Sequence, residues 1–156
     1  MRLLTLIALS VCASCVQPPT YQGGRFASAP QILLPDDRGY PTPLAASQPL
    51  LPGQVFAVDV PLSQSAYVYV VSRSGGVLDN LYPSGGTDRV HEPGIARIPS
   101  ADSWLRAPAQ SANGSLCVLL SAQPIDPSKR HCFAQSEHLQ HNPPLQAFQL
   151  APLRVN

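Results

Sequence analysis

The sequence predicts an all-β protein: a small, sandwich-like antiparallel β domain that follows a signal peptide and a flexible linker. Three observations predict it. The 156 residues include 18 Pro and 10 Gly, with 44% hydrophobic and 12% charged residues, a balance that favours many short strands joined by tight turns. The stretch Ala66 to Gly86 places two apolar, β-branched and aromatic runs on either side of Gly75-Gly76, which is the pattern of a β-hairpin. Beyond residue 15 no helical period is longer than the short piece from Ala134 to Gln140.

The chain opens with Met1-Arg2 and the apolar run Leu3 to Val11, ending in the small residues Ala13 and Ser14. This is a secretory signal, residues 1–14, and its run falls short of the ~20 residues that a transmembrane helix needs. Cys12-Ala13-Ser14-Cys15 resembles a bacterial lipobox, in which Cys15 is acylated and becomes the first residue of the mature chain. Cys12 stands where such boxes usually carry Leu or Val, and cleavage after Ala13 by a general signal peptidase is the competing reading. Residues 15–30, the lipidated N-terminus and the Pro- and Gly-punctuated segment after it, read as a linker. Val16 after the cysteine implies sorting to the outer membrane in lipoproteins of the enteric type.

The β-sandwich-like domain is expected over residues 31–156, long enough for one real core. Gln31 to Leu34 reads as a first strand, closed by Pro35 and a solvated Asp36-Asp37 turn. Gly39 to Pro52 reads as a Pro-broken connection. In Val55 to Val60, residues Phe56, Val58 and Val60 share one face, as in a half-buried strand. The first hairpin arm alternates Tyr67, Tyr69 and Val71 against Ala66, Val68 and Val70, so both faces need cover and the strand belongs mid-sheet. The second arm, Val77 to Tyr82, carries Asp79 and Asn80, stops at Pro83 and is the wetter partner. Ser84 to Gly94 reads as turns, Ile95 to Pro99 and Ser103 to Arg106 as short strands. Asn113-Gly114 turns the chain into Leu116 to Leu120, with Leu116, Val118 and Leu120 inward and Cys117 on the opposite face. Leu145 to Val155 returns as an edge strand, with Pro152 consistent with an edge.

Charge excludes one class of partner. The formal net charge is +1, and loss of Arg2 with the signal leaves nine basic against nine acidic residues. No basic footprint for nucleic acid remains. Chemistry is equally sparse. His91-Glu92, His131, His138 and His141 match no compact zinc-ligand spacing and read as surface histidines. There is no Gly-x-Ser-x-Gly elbow and no phosphate-binding glycine loop before a helix. No catalytic residue, metal or cofactor is assigned.

Cys117 and Cys132 remain once the anchor is assigned, and an exported compartment is oxidising, so they are expected to form a disulfide. The bond would steady the excursion from Pro124 to Arg130, which reads as poor in apolar contacts. Tyr82, Trp104 and Asp102 form the candidate ligand or partner surface, with Tyr67 and Tyr69 completing an aromatic platform.

The order Pro52-Gly53, Ala66-Tyr67-Val68-Tyr69-Val70, Gly75-Gly76-Val77, Leu81-Tyr82-Pro83 and Ile98-Pro99 resembles a bacterial domain family of unknown function. That family carries a tyrosine-valine-tyrosine, glycine, leucine-tyrosine-proline, isoleucine-proline signature. It occurs in envelope lipoproteins and appended to signalling or protease modules. The resemblance spans about residues 53–124 and implies a fold and an envelope setting, without a catalytic residue. The late Cys117/Cys132 pair and the His-rich tail depart from it.

Two functions are therefore expected to compete. One is a non-enzymatic outer-membrane lipoprotein, facing the periplasm or the cell surface, that docks other envelope proteins. It is held to the membrane by its lipid anchor and serves as an accessory of an assembly such as a secretion or surface-structure complex. The other is a periplasmic small-ligand or glycan binder, or more remotely a hydrolase, working through the aromatic platform.

Overall fold

The computed structural model describes residues 20–45, 47–109, 114–132, 137–138 and 144–153. Cys15, Asn113 and most of the stretch around Ala134 to Gln140 fall outside them. Two antiparallel sheets pack face to face, as expected of a sandwich. The first sheet runs in the order β2 (Pro41–Pro43), β1 (Gln31–Pro35), β3 (Val55–Leu62), β7 (Gly94–Ile98), with β8 (Leu105–Arg106) also on β3. The second runs β10 (Glu137–His138), β11 (Leu145–Leu153), β9 (Gly114–Ser121), β4 (Ala66–Ser74), β5 (Val77–Tyr82), with β6 (Val90–His91) also on β4.

Strand alternation builds the core between the sheets. Phe56, Val58 and Val60 of β3 meet Ala66, Val68 and Val70 of β4 and Leu116, Val118 and Leu120 of β9 in one cluster, closed by Ile98, Leu105 and Leu153. Each large side chain buried there contributes about 1.5–3 kcal/mol. The opposite face of the second sheet carries apolar side chains too. Tyr69, Val71, Cys117, Leu119 and Ala147 form a separate apolar cluster, against which Tyr67, Ile125 and Cys132 pack. This explains why β4 and β9 are apolar on both faces.

The turn between β4 and β5 needs glycine. Gly75 and Gly76 have φ of 56° and 84°, the positive pair that matches hairpin twist. Gly114 is needed for a different reason: a Cβ there would lie 2.5 Å from the Arg73 carbonyl oxygen.

Four expectations are corrected. Packing begins before Gln31: Phe26 is fully buried, Ala27 bridges Leu62, and the Ser63 amide donates to the Phe26 carbonyl at 2.8 Å. The buried Phe26, with Tyr21 packed on it, draws this Pro- and Gly-rich stretch into the seam. The connection after Gly39 contains β2, whose two prolines are tolerated because β2 is an edge paired only with β1. Glu137 and His138, inside the expected helical piece, are strand, pairing with Gln146 and Leu145. Val90–His91, expected among turns, pairs with Tyr67 and Ala66.

The strands give the sandwich two distinct ends. At one lies the β3–β4 turn, Ser63 to Ser65, where Leu62 faces Gly94 and Tyr67 faces Ser121. At the other lie the Gly75-Gly76 hairpin, the start of β9 and the end of β11. These are called the turn end and the hairpin end below.

Candidate docking surface

Among the described residues, the outer flank of β11 is tied only near its two ends. One flank pairs with β9 along its length. On the other, β10 reaches only Leu145 and Gln146, and the Leu50 amide donates to the Pro152 carbonyl at 3.3 Å. Between those two ties, Ala147 to Ala151 has no strand partner on that side among the described residues. The pairing register with β9 also shifts here, passing from Gln149 opposite Cys117 to Ala151 opposite Leu116, so Leu150 is bulged.

Beside this flank is a cleft of about 720 Å³ whose walls include Gln31, Leu44, Gln48, Asp59, Ile95 and Leu150. Its size falls in the range of ligand-binding clefts. Asp59 is held by Arg97, whose Nε donates to Oδ1 and whose second nitrogen donates to Oδ2 at 3.0 Å. That hydrogen bonding lifts Arg97 above its ordinary value. The cleft thus combines apolar walls with carboxamides and an edge backbone, groups that suit an extended peptide better than a small charged substrate.

The Cys117–Cys132 disulfide is present, with Cα atoms 5.5 Å apart. It closes a strap, residues 122–132, over the outer cluster. The strap is richer in contacts than expected, because Ile125 packs on that cluster and its amide donates to the Tyr69 hydroxyl at 2.9 Å. Arg130 is only 3% exposed. Its Nε donates to the Ile125 carbonyl at 2.9 Å, and a second nitrogen donates to Asp88 at 2.9 Å. Burial pushes the Tyr69 phenol up to about 12. All of these groups are satisfied by one another, so the cluster is a staple.

The residues expected to form an aromatic platform fall into two packing environments, Tyr67 and Tyr69 in the outer cluster and Tyr82 against the core between the sheets. Tyr69 is buried under the strap and Tyr67 packs against the same cluster. Tyr82 pairs by its hydroxyl with His91 Nε2 at 3.2 Å. His91 is half-buried, a correction to its reading as a surface group, and burial with Arg89 nearby holds it below its ordinary value. Trp104 is half-buried where the chain enters β8, and Asp102 is exposed in the preceding turn. Neither the cleft beside β11 nor a smaller one of about 290 Å³ near Arg73 and Gly114 is lined by Tyr82, Trp104 or Asp102. No group of three metal-ligating side chains occurs among the described residues.

Sequence reasoning missed Gln146. It is fully buried, and its Oε1 accepts from the amides of Phe26 at 2.7 Å and Ala27 at 3.1 Å while its Nε2 donates to the Ala27 carbonyl at 3.1 Å. A glutamine within an alternating strand carries no signal of this; only its inward register position does. Searched against protein families, curated proteins and solved structures, the chain matches none of them.

Proposed function

We propose that this chain is a non-enzymatic outer-membrane lipoprotein, anchored through Cys15, that serves as a docking module of a cell-envelope assembly by binding an extended segment of another envelope protein along β11. The observation that carries the reading is the outer flank from Ala147 to Ala151, unpaired among the described residues and opening on the cleft at Leu150. A peptide added there would gain backbone hydrogen bonds from the edge and side-chain contacts from Leu44 and Leu150. The glycan-binding alternative would work through Tyr82, Trp104 and Asp102, none of which lines the cleft at Leu150.

The test is site-specific photocrosslinking from Gln149, which is exposed on β11, with Ser84 as an exposed control. Gln149 should crosslink one defined envelope protein in membranes and Ser84 should not. Leu150→Arg should abolish the adduct. Recovery of the chain alone, together with glycan binding lost in Trp104→Ala, would overturn the reading.

A further inference from the structure

The packed part of the domain begins much closer to Cys15 than a linker ending at Pro30 would allow. The Gln22 amide donates to Gln64 Oε1 at 3.1 Å, and Gln64 Nε2 donates to the carbonyls of Gly23 and Arg25, each at 3.1 Å. Ser63 Oγ donates to the Arg25 carbonyl at 2.8 Å. Tyr21 stacks on the buried Phe26 with ring centres 5.1 Å apart. The chain is therefore clamped from Tyr21 onward, and the clamp is the β3–β4 turn. Between Cys15 and Thr20 lie five peptide units, which span about 18 Å when fully extended. A tether to Pro30 would reach roughly three times as far.

From this clamp we infer that the turn end of the sandwich is the membrane-facing surface and that its partner there is the lipid headgroup layer. The inference rests on the Cys15 anchor proposed above and deepens it by assigning an orientation. With so short a spacer, Ser63, Glu92, Pro93 and Ile95 are held against the headgroups. Ile95 is 74% exposed and lies on the outer face of β7 opposite Pro61, one residue from the turn-end pair Leu62 and Gly94. Arg25, Arg89 and Glu92 place both signs of charge at or near this end, and the short tether sets the orientation. The nine residues of β4, rising about 3.3 Å each, carry the Gly75-Gly76 hairpin about 26 Å further from the bilayer.

The test uses the full acylated chain in vesicles of phosphatidylethanolamine and phosphatidylglycerol containing a lipid with a nitroxide on its headgroup. A fluorophore is attached at Ile95→Cys or at Val77→Cys. Both positions are exposed, Val77 at 60%, and Val77 lies at the hairpin end. Quenching should be several-fold stronger at Ile95→Cys. Equal quenching at the two positions, or stronger quenching at Val77→Cys, would overturn the orientation even where the anchor is confirmed. The anchor itself is read separately, by fatty-acid labelling that Cys15→Ser must abolish; labelling that persists, or none in the unaltered chain, would remove the anchor and the inference together. A Gly/Ser insertion of about ten residues between Pro19 and Thr20, adding roughly 17 Å of reach, should erase the contrast. Its retention would overturn the tether as the cause.

Discussion

The guanidinium of Arg130 lies 4.1 Å from the centre of the Tyr69 ring, and the same side chain holds Asp88 and the Ile125 carbonyl. Arg130→Gln removes the cation–π contact and leaves Asp88 without its charge partner. A loss of roughly 3 kcal/mol is expected, seen as a lower urea midpoint. Arg130→Lys should recover less than half of it, since an ammonium cannot reach both acceptors while stacking on the ring. A lysine variant as stable as the parent would show that charge alone matters.

The Cys117–Cys132 bond closes 15 residues. In the chain-entropy account, replacing both cysteines by alanine should cost about 3 kcal/mol. The sandwich should still form, because the cluster between the sheets lies on the other face of β9. Far-ultraviolet circular dichroism of the double variant should keep its β signature. Loss of that signature at low temperature would mean that the two clusters fold as one.

Tyr69 ties stability to high pH. Its phenol ionises near 10 when unfolded and at about 12 when folded. The neutral phenol's contribution is thus complete below pH 10 and is lost as pH rises through the folded value, a change on the order of 2 kcal/mol. In Tyr69→Phe the decline of melting temperature between pH 10 and 12 should be shallower, although the variant starts lower for want of the Ile125 hydrogen bond. Parallel profiles would assign the alkaline loss elsewhere.

His91 acts at the acid end. Burial and then Arg89 hold its folded value below the ordinary one, so the unfolded chain takes up the proton first. Stability should fall as pH drops below about 6.5 and level off below the folded value. His91→Gln can keep a bond to Tyr82 without titrating, and its melting temperature should change less over that window. An unchanged acid slope would exclude His91 as the source.

Gln146→Leu leaves the buried amides of Phe26 and Ala27 without their acceptor. At about 1–3 kcal/mol for each unsatisfied donor, residues 21–27 should release before the rest unfolds. Trypsin cutting after Arg25, which is exposed, should then speed up at temperatures where the sandwich stays folded. An unchanged rate of that cut would show that Ser63, Gln64 and the Ala27–Leu62 bridge hold the segment without Gln146.

Much of the fold was legible because alternation is a local signal. Phe56, Val58 and Val60, and the two faces of β4, fall where period two puts them. The elements that were not legible form by tertiary contact. β6 and β10 are two residues each, too short for any period, and β2 reads Pro-Thr-Pro. The groups that fasten the structure were also hidden, since Arg130 and Gln146 are residue types ordinarily found in water. Tyr82 and Trp104 are ambiguous for the converse reason: aromatic residues signal burial as readily as binding, and here each is half-buried and outside the lining of the cleft at Leu150.

β4 and β9 have a strand on each flank and an apolar cluster over each face. Their amides can meet solvent only when both clusters and both flanks open together, which is global unfolding. Hydrogen exchange in these two strands should therefore report the full stability of the domain, while the strap at Ile125 to Arg130 exchanges on its own faster clock. Binding of a partner along β11 would slow the second sheet from its edge inward, leaving the strap's clock as the internal reference.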